Sequence, residues 1–347
     1  MKQGIEITLN GTTDEFKQLF SYTSVEEDAK LATLEDYMAH VFNQSMDRDR
    51  FHGSWAEVIN DKDKGTYVLK MFSPHHDLSP YCKLIPAYLE AGKVALSIFQ
   101  MNQKLIPPAS KDQMRFLLPF GLSMANCKSV QLLHFPPLET FVYQDYLYSP
   151  TNRRWENLLG YNNLTISNFS ELETIVDCVP IAAPGGDSTG IAPFNNLFTA
   201  YVKQMLQARL NPNGKITQPV MAYGGPVMDW LKLAFADQID PQIKGPLAPL
   251  SLVELKLFDS DVITPVLCAN HPSKYLYYTD DNKKADAEVK KEIMTQDLIA
   301  AGWQYKMANE HHHSPKTVLD EMKKHWTNNK RVLEIIEQED QSYGYKI

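Results

Sequence analysis

The short apolar run Val266–Ala269 passes directly into Asn270-His271-Pro272-Ser273. A continuous apolar run closed by turn residues is the pattern of a buried strand, and here its end delivers an imidazole, a rigid turn and a hydroxyl to one spot. Three earlier runs have the same form. Ser129–Phe135 (SVQLLHF) is closed by Pro136-Pro137, Leu172–Val179 enters the glycine- and proline-rich PIAAPGGDSTG, and Gln218–Tyr223 stops at Gly224-Gly225. Between these runs the spacing turns helical, from Arg153-Arg154-Trp155 onward, over Asn195–Leu210, and over Val227–Phe235 with Pro226 in the favoured first turn. Strand and helix alternating in this order predict a parallel α/β sheet, and chemistry in such sheets gathers at strand ends.

The remaining stretches fill in around this frame. Ile5–Leu9 reads as a strand, Asp28–Phe42 as a helix and Tyr81–Leu105 as a long helix stopped by Pro107-Pro108. Met114–Leu122 reads as an apolar helix or turn, and Leu252–Phe258 as a further strand. Charged helical patterns follow over Glu288–Met307, Pro315–Trp326 and Lys330–Glu339. Hydrophobic residues make up 44% and charged residues 22% of 347, which is a globular balance. The net charge of −8 offers no bulk attraction for nucleic acid, so any DNA contact must come from a local patch. The four cysteines, Cys82, Cys127, Cys178 and Cys268, form no C-x-x-C pair and read as reduced core thiols, which points to the cytoplasm. No apolar run approaches the roughly 20 residues of a membrane span, so no membrane partner is expected. The His75-His76-Asp77 and His311-His312-His313 clusters match no standard ligand spacing, so no metal and no cofactor are expected.

Four segments, taken in order, resemble the uracil-DNA glycosylase superfamily. Leu105-Ile106-Pro107-Pro108 followed by SVQLLHFPP resembles that family's Y-P-P, strand and GQDPYH. The strand ending Ile175-Val176-Asp177 resembles its LLLN strand. Phe198-Thr199-Ala200 followed by VMAYGG resembles its F-T-D helix and LLWG strand, and Asn270–Leu276 resembles its HPSPLS loop. Asp177 and Phe198 are 198 − 177 = 21 residues apart, the spacing the family shows between its base-reading Asn and that phenylalanine. The resemblance implies a three-layer α/β/α domain over residues 53–285, around a mostly parallel sheet of about four strands. Residues 1–52 become an N-terminal extension, and 286–347 a helical extension packed on the same domain.

The resemblance also assigns roles. A glycosylase everts its base, holds it and stabilises charge as the glycosidic bond breaks. His271 becomes the donor to the pyrimidine O2, and Tyr275 falls where the family places the residue that wedges into the duplex. Lys274, Ser273, Gly224, Gly225, Ser188 and Thr189 become backbone contacts to DNA, and Tyr148 the aromatic on which the base stacks.

Three departures carry the specificity. Pro136 stands where the family holds its water-positioning Asp, within the backbone pocket that includes Pro137. Glu139 is the nearest carboxylate and the candidate substitute, with Asp145 and Asp187 behind it; loss of hydrolysis is the other reading. Leu138 replaces the tyrosine that blocks substituents at C5. Asp177 replaces the base-reading Asn. An ionised carboxylate only accepts, which suits the N4 amine of cytosine and not the O4 of uracil. A protonated one, favoured by burial, could instead donate to N3, so either form points toward cytosine. Together these imply a monomeric glycosylase acting on double-stranded DNA that carries a C5-modified cytosine. Glucosylated hydroxymethylcytosine of phage DNA is the example, and anti-phage defence the setting. The alternatives are a uracil-DNA glycosylase with a displaced carboxylate, a glycosylase for RNA or nucleosides, and an inactive fold that binds DNA or protein.

Overall fold

A computed structural model of the chain describes residues 3–20, 33–48, 52–108, 114–116, 128–136, 150–162, 173–183, 188–210, 218–239, 247–256, 263–275, 287–309 and 314–342. Its elements begin with β1 (Gln3–Leu9), α1 (Thr13–Leu19), α2 (Leu34–Arg48), β2 (Trp55–Asp61), β3 (Thr66–Ser73), α3 (Tyr81–Asn102), β4 (Arg115–Phe116) and β5 (Ser129–Leu133). Then come α4 (Pro150–Tyr161), β6 (Glu173–Asp177), β7 (Ile181–Ala182), α5 (Ser188–Ile191), α6 (Thr199–Leu210), β8 (Val220–Tyr223) and α7 (Gly225–Ala234). The series ends with β9 (Leu252–Leu255), β10 (Thr264–Ala269), α8 (Ala287–Asn309), α9 (Pro315–Trp326) and α10 (Arg331–Ser342). The chain forms two compact units. One comprises Met1–Cys127, Phe135–Gln144 and Glu173–Ile216, the other Lys128–His134, Asp145–Leu172 and Thr217–Ile347. This differs from the consecutive stretches expected at 1–52, 53–285 and 286–347, because the chain leaves and re-enters each unit.

The first unit contains an antiparallel sheet in the order β1, β3, β2. The β2–β3 hairpin was not legible in the sequence. Its burial alternates strictly, with Tyr67, Leu69 and Met71 pointing inward. Phe16 of α1 meets the Tyr67 ring edge-on at 5.1 Å, and a reciprocal Thr12–Glu15 capping box starts α1. Asn43 of α2 pins β2 by accepting from Ala56 N–H and donating to Ala56 O, each at 2.8 Å. Elsewhere in this unit α3 packs on α6. The expected helix or turn at Met114–Leu122 begins instead as extended chain: β4 pairs antiparallel with β7, Phe116 opposite Ile181. Residues 117–127 lie outside the described residues.

In the second unit β5, β8 and β10 run parallel, with Val130 and Val266 both in register with Val220, while β9 lies antiparallel on β10. Every residue of β8 and β10 is buried, as their continuous apolar runs require. Met221, Tyr223, Leu267 and Ala269 share one core with Trp155 and Leu158 of α4, Leu298 and Trp303 of α8, Trp326 of α9 and Ile335 of α10. Each buried side chain of the Leu or Met class adds about 1.5–3 kcal/mol relative to exposure. Gly302 lets α8 and α9 approach, since a Cβ there would lie 2.8 Å from Asn162 Oδ1 and closer still to Met322 Sδ. The C-terminal helices are therefore integral to this unit's core. Among the described residues the architecture is α/β, with a mostly parallel sheet flanked by helices, and no helix is long and apolar enough to cross a membrane.

Candidate active site

In the second unit three parallel strands end side by side. β5 leads to His134, β8 to Gly224-Gly225 and β10 to Asn270-His271-Pro272-Ser273. Gly224 donates to Ala269 O at 2.9 Å and has φ +84°, and a Cβ there would sit 3.4 Å from the His271 Cβ. The positive φ therefore calls for glycine there. Gly225 begins α7 with open space around it, and Pro226 follows in the first turn, where its missing N–H costs nothing.

His271 caps the three-ten turn Pro272–Lys274. Its Nδ1 accepts from Ser273 N–H at 3.2 Å and lies 2.6 Å from Ser273 Oγ, and its carbonyl accepts from Lys274 N–H at 2.8 Å. An Nδ1 that accepts a backbone N–H carries no proton, so the neutral ring holds its proton on Nε2. Burial, and then the proximity of His134, push the His271 pKa down to about 4. At neutral pH the side chain is thus an uncharged donor whose tautomer the turn has chosen.

One other expectation for this loop changes. Tyr275 does not project as a wedge: it is fully buried, its hydroxyl donates to Asp340 at 3.1 Å, and the Arg154 guanidinium lies 4.5 Å over its ring. A side chain held in the core by an ion and a hydrogen bond cannot enter a base stack. Lys274 is half-buried, and its Nζ donates to Asn270 Oδ1 at 2.9 Å.

In the first unit, Asp177 ends β6 and is buried. Cys178 beside it is buried too, and burial together with the Asp177 charge pushes its thiol pKa well up, so it is an inert thiol. Cys268 in β10 is likewise raised by burial, to about 12. Pro136 is buried and accepts from Ala183 N–H at 3.3 Å. Ser188 opens the one-turn α5, and Thr189 is exposed. Phe198 is buried against Phe194, ring centroids 6.5 Å apart.

The structure therefore gathers His271, Ser273, Gly224 and Gly225 at one strand-end edge, and adds His134, which the sequence reading had assigned no role. Pro137, Leu138, Glu139, Tyr148, Asp145 and Asp187 lie outside the described residues, as does the His311–His313 cluster. The His75-His76-Asp77 loop is ordered by its own hydrogen bonds: Ser73 Oγ accepts from His76 N–H at 3.1 Å, and Asp77 accepts from Ser79 N–H at 2.9 Å. No group of three or more metal-ligating side chains occurs among the described residues. No protein-family model matches the chain, and no curated protein matches it.

Proposed function

We propose that the protein is a DNA glycosylase that excises a C5-modified cytosine and leaves an abasic site, as a defence against phage DNA. The observation that carries this reading is the state of His271. Cleavage breaks the bond between C1′ and N1 of the base; the electron pair moves onto the base, and much of its charge appears on O2. Water supplies hydroxyl to C1′ and, in sum, a proton to the base. A neutral imidazole with its proton on Nε2 can donate to that oxygen without changing charge, and a donor preorganised for growing charge supplies about 3 kcal/mol. An imidazolium would bind anions indiscriminately, whereas this ring stays uncharged down to about pH 4.

Asp177 supports the cytosine part of the reading. A buried carboxylate at a strand end accepts an N4–H₂ donor and offers nothing to the O4 of uracil. The test uses duplexes containing uracil, cytosine or glucosyl-hydroxymethylcytosine, with base release measured for the wild type and for Asp177→Asn. Release of the modified cytosine alone, lost in Asp177→Asn, is the expected result. Release of uracil alone, retained in Asp177→Asn, would establish the conventional specificity instead.

The burial of Tyr275 favours one second reading, a fold that binds DNA or a protein partner without everting a base. It predicts no release from any duplex, and DNA affinity unchanged by His271→Ala.

A further inference from the structure

The His271 loop is clamped from below by one fully buried arginine. Arg154, on α4, has no exposed surface. Its Nη1 donates to the Pro272 carbonyl at 3.0 Å and also lies 2.8 Å from Asp297 Oδ2 of α8. Nε is 3.6 Å from Glu339 Oε2 of α10, and Nη2 is 3.9 Å from Met294 Sδ. The clamp continues through its partners. Asp297 Oδ1 accepts from Asn270 Nδ2 at 3.1 Å, and Asn270 in turn accepts from Lys274. Glu339 Oε1 accepts from Tyr161 at 2.8 Å and from Asn157 at 3.1 Å, both on α4. Residues on either side of His271 are thus tied to three helices, while among the described residues both hydrogen bonds of the histidine side chain go to Ser273.

A buried guanidinium between two buried carboxylates is an expensive way to gain stability. Ion pairs of this kind are often no better than well-packed apolar replacements. The planar fork does, however, fix geometry that apolar packing cannot, since it ties a backbone carbonyl and carboxylates together in fixed directions. We infer that Arg154 is a positioning residue that aims His271, acting through the Pro272 carbonyl and the Asp297–Asn270 link. The inference rests on His271 being the donor of the proposed reaction. The charged groups packed around the arginine are Asp297 and, by way of Asn270, Lys274 on one side. On the other are Glu339, with Asp340 and Lys290 beyond Tyr275.

The test is NMR on the full chain with labelled histidine, alongside amide exchange. In the wild type, the Ser273 and Lys274 amides should open at the same denaturant-dependent free energy as the α4 amides, as one cooperative unit. Arg154→Lys keeps the charge and loses the fork. Arg154→Met with Asp297→Asn keeps the volume and removes the cation from both ion pairs, leaving Glu339 as the one carboxylate without it. In either variant, with α8 amides still protected, the His271 ring resonances should shift and the Ser273 and Lys274 amides should lose about tenfold in protection. For base release, kcat should fall about 100-fold with KM little changed, the mark of misplacement rather than lost binding. Loop amides that open independently of α4, or a folded Arg154→Lys protein with unshifted His271 resonances, would overturn the inference. If both variants unfold, the wild-type exchange decides. Should the wild type release no base at all, the glycosylase reading falls, and the resonance and exchange measurements still judge the clamp.

Discussion

Two loops follow buried strands in this chain, and they are secured by opposite means. The loop after β10, residues 270–275, is held by charge and hydrogen bonds: Arg154 on the Pro272 carbonyl, Asp297 on Asn270, Asn270 on Lys274 and Asp340 on Tyr275. The loop after β6, residues 178–183, is held by apolar burial. Cys178, Val179, Ile181, Ala182 and Ala183 are all buried, and β7 pairs with β4. An apolar strap tolerates small shifts at little cost, whereas a polar clamp breaks when a direction is wrong. The clamp supports a group whose hydrogen must point along a line. The strap follows Asp177, whose proposed role of accepting from an amine can be met by either carboxylate oxygen.

The largest effect that separates the two loops is on stability. Arg154→Met leaves Asp297 and Glu339 without their cation and is expected to cost about 3–5 kcal/mol in urea unfolding. Asp177→Asn keeps the size of a buried polar side chain and should change stability by less than about 1 kcal/mol. Equal losses for the two would erase the distinction.

Next in size is activity. His271→Ala should lower single-turnover release of the modified base by at least about 100-fold, while thermal stability stays near wild type, since the side chain supports only its own turn. A collapse in stability, with release unaffected in the remaining folded fraction, would make His271 part of the clamp and not its cargo.

How much of this was legible in the sequence depends on which residue types carried the structure. β10 and β8 were readable because strands buried on both faces are unbroken apolar runs. Pro226 marked the start of α7, and Gly224 marked a strand end that needs positive φ. The β2–β3 hairpin was hidden because its solvent face also carries Trp55, Ile59, Val68 and Phe72, which blur the period-two pattern. The clamp was invisible for another reason: Arg154 reaches Pro272 from 118 residues away, and its carboxylate partners sit in helices that read as solvated and charged. Tyr275 was misplaced by the same blindness. The resemblance implied a wedge into DNA, whereas its burial involves Arg154 and Asp340, both remote in sequence.

A smaller effect probes the edge where the strands meet. Gly224→Ala should cost about 1–2 kcal/mol, from φ +84°. Gly225→Ala, in helical chain with open space around it, should be neutral or stabilise by a few tenths of a kcal/mol. Urea midpoints of the two variants read the contrast directly. If Gly224→Ala is as benign as Gly225→Ala, the positive φ at the end of β8 is not a constraint.

The smallest effect is the pH dependence of folding near neutrality. His271 titrates near its ordinary value in the unfolded chain but at about 4 in the fold, so between these values the unfolded state binds more protons. Its contribution is fully present above the unfolded pKa and shrinks as pH falls. The loss between pH 7 and pH 6 should be less than about 1 kcal/mol, discounted because the ring is partly exposed. Asp297 and Glu339 have the opposite sign. Burial raises both pKa values against the pull of Arg154, so the stability they contribute is present at low pH and is lost as pH rises through their folded values. Those carboxylates and the other histidines are common to the wild type and His271→Gln, so subtracting the two stability curves leaves His271 alone. A difference that grows as pH rises from 6 to 7 is expected. A flat difference would mean that the imidazole is no more buried than an ordinary surface histidine, and that the turn does not hold it neutral.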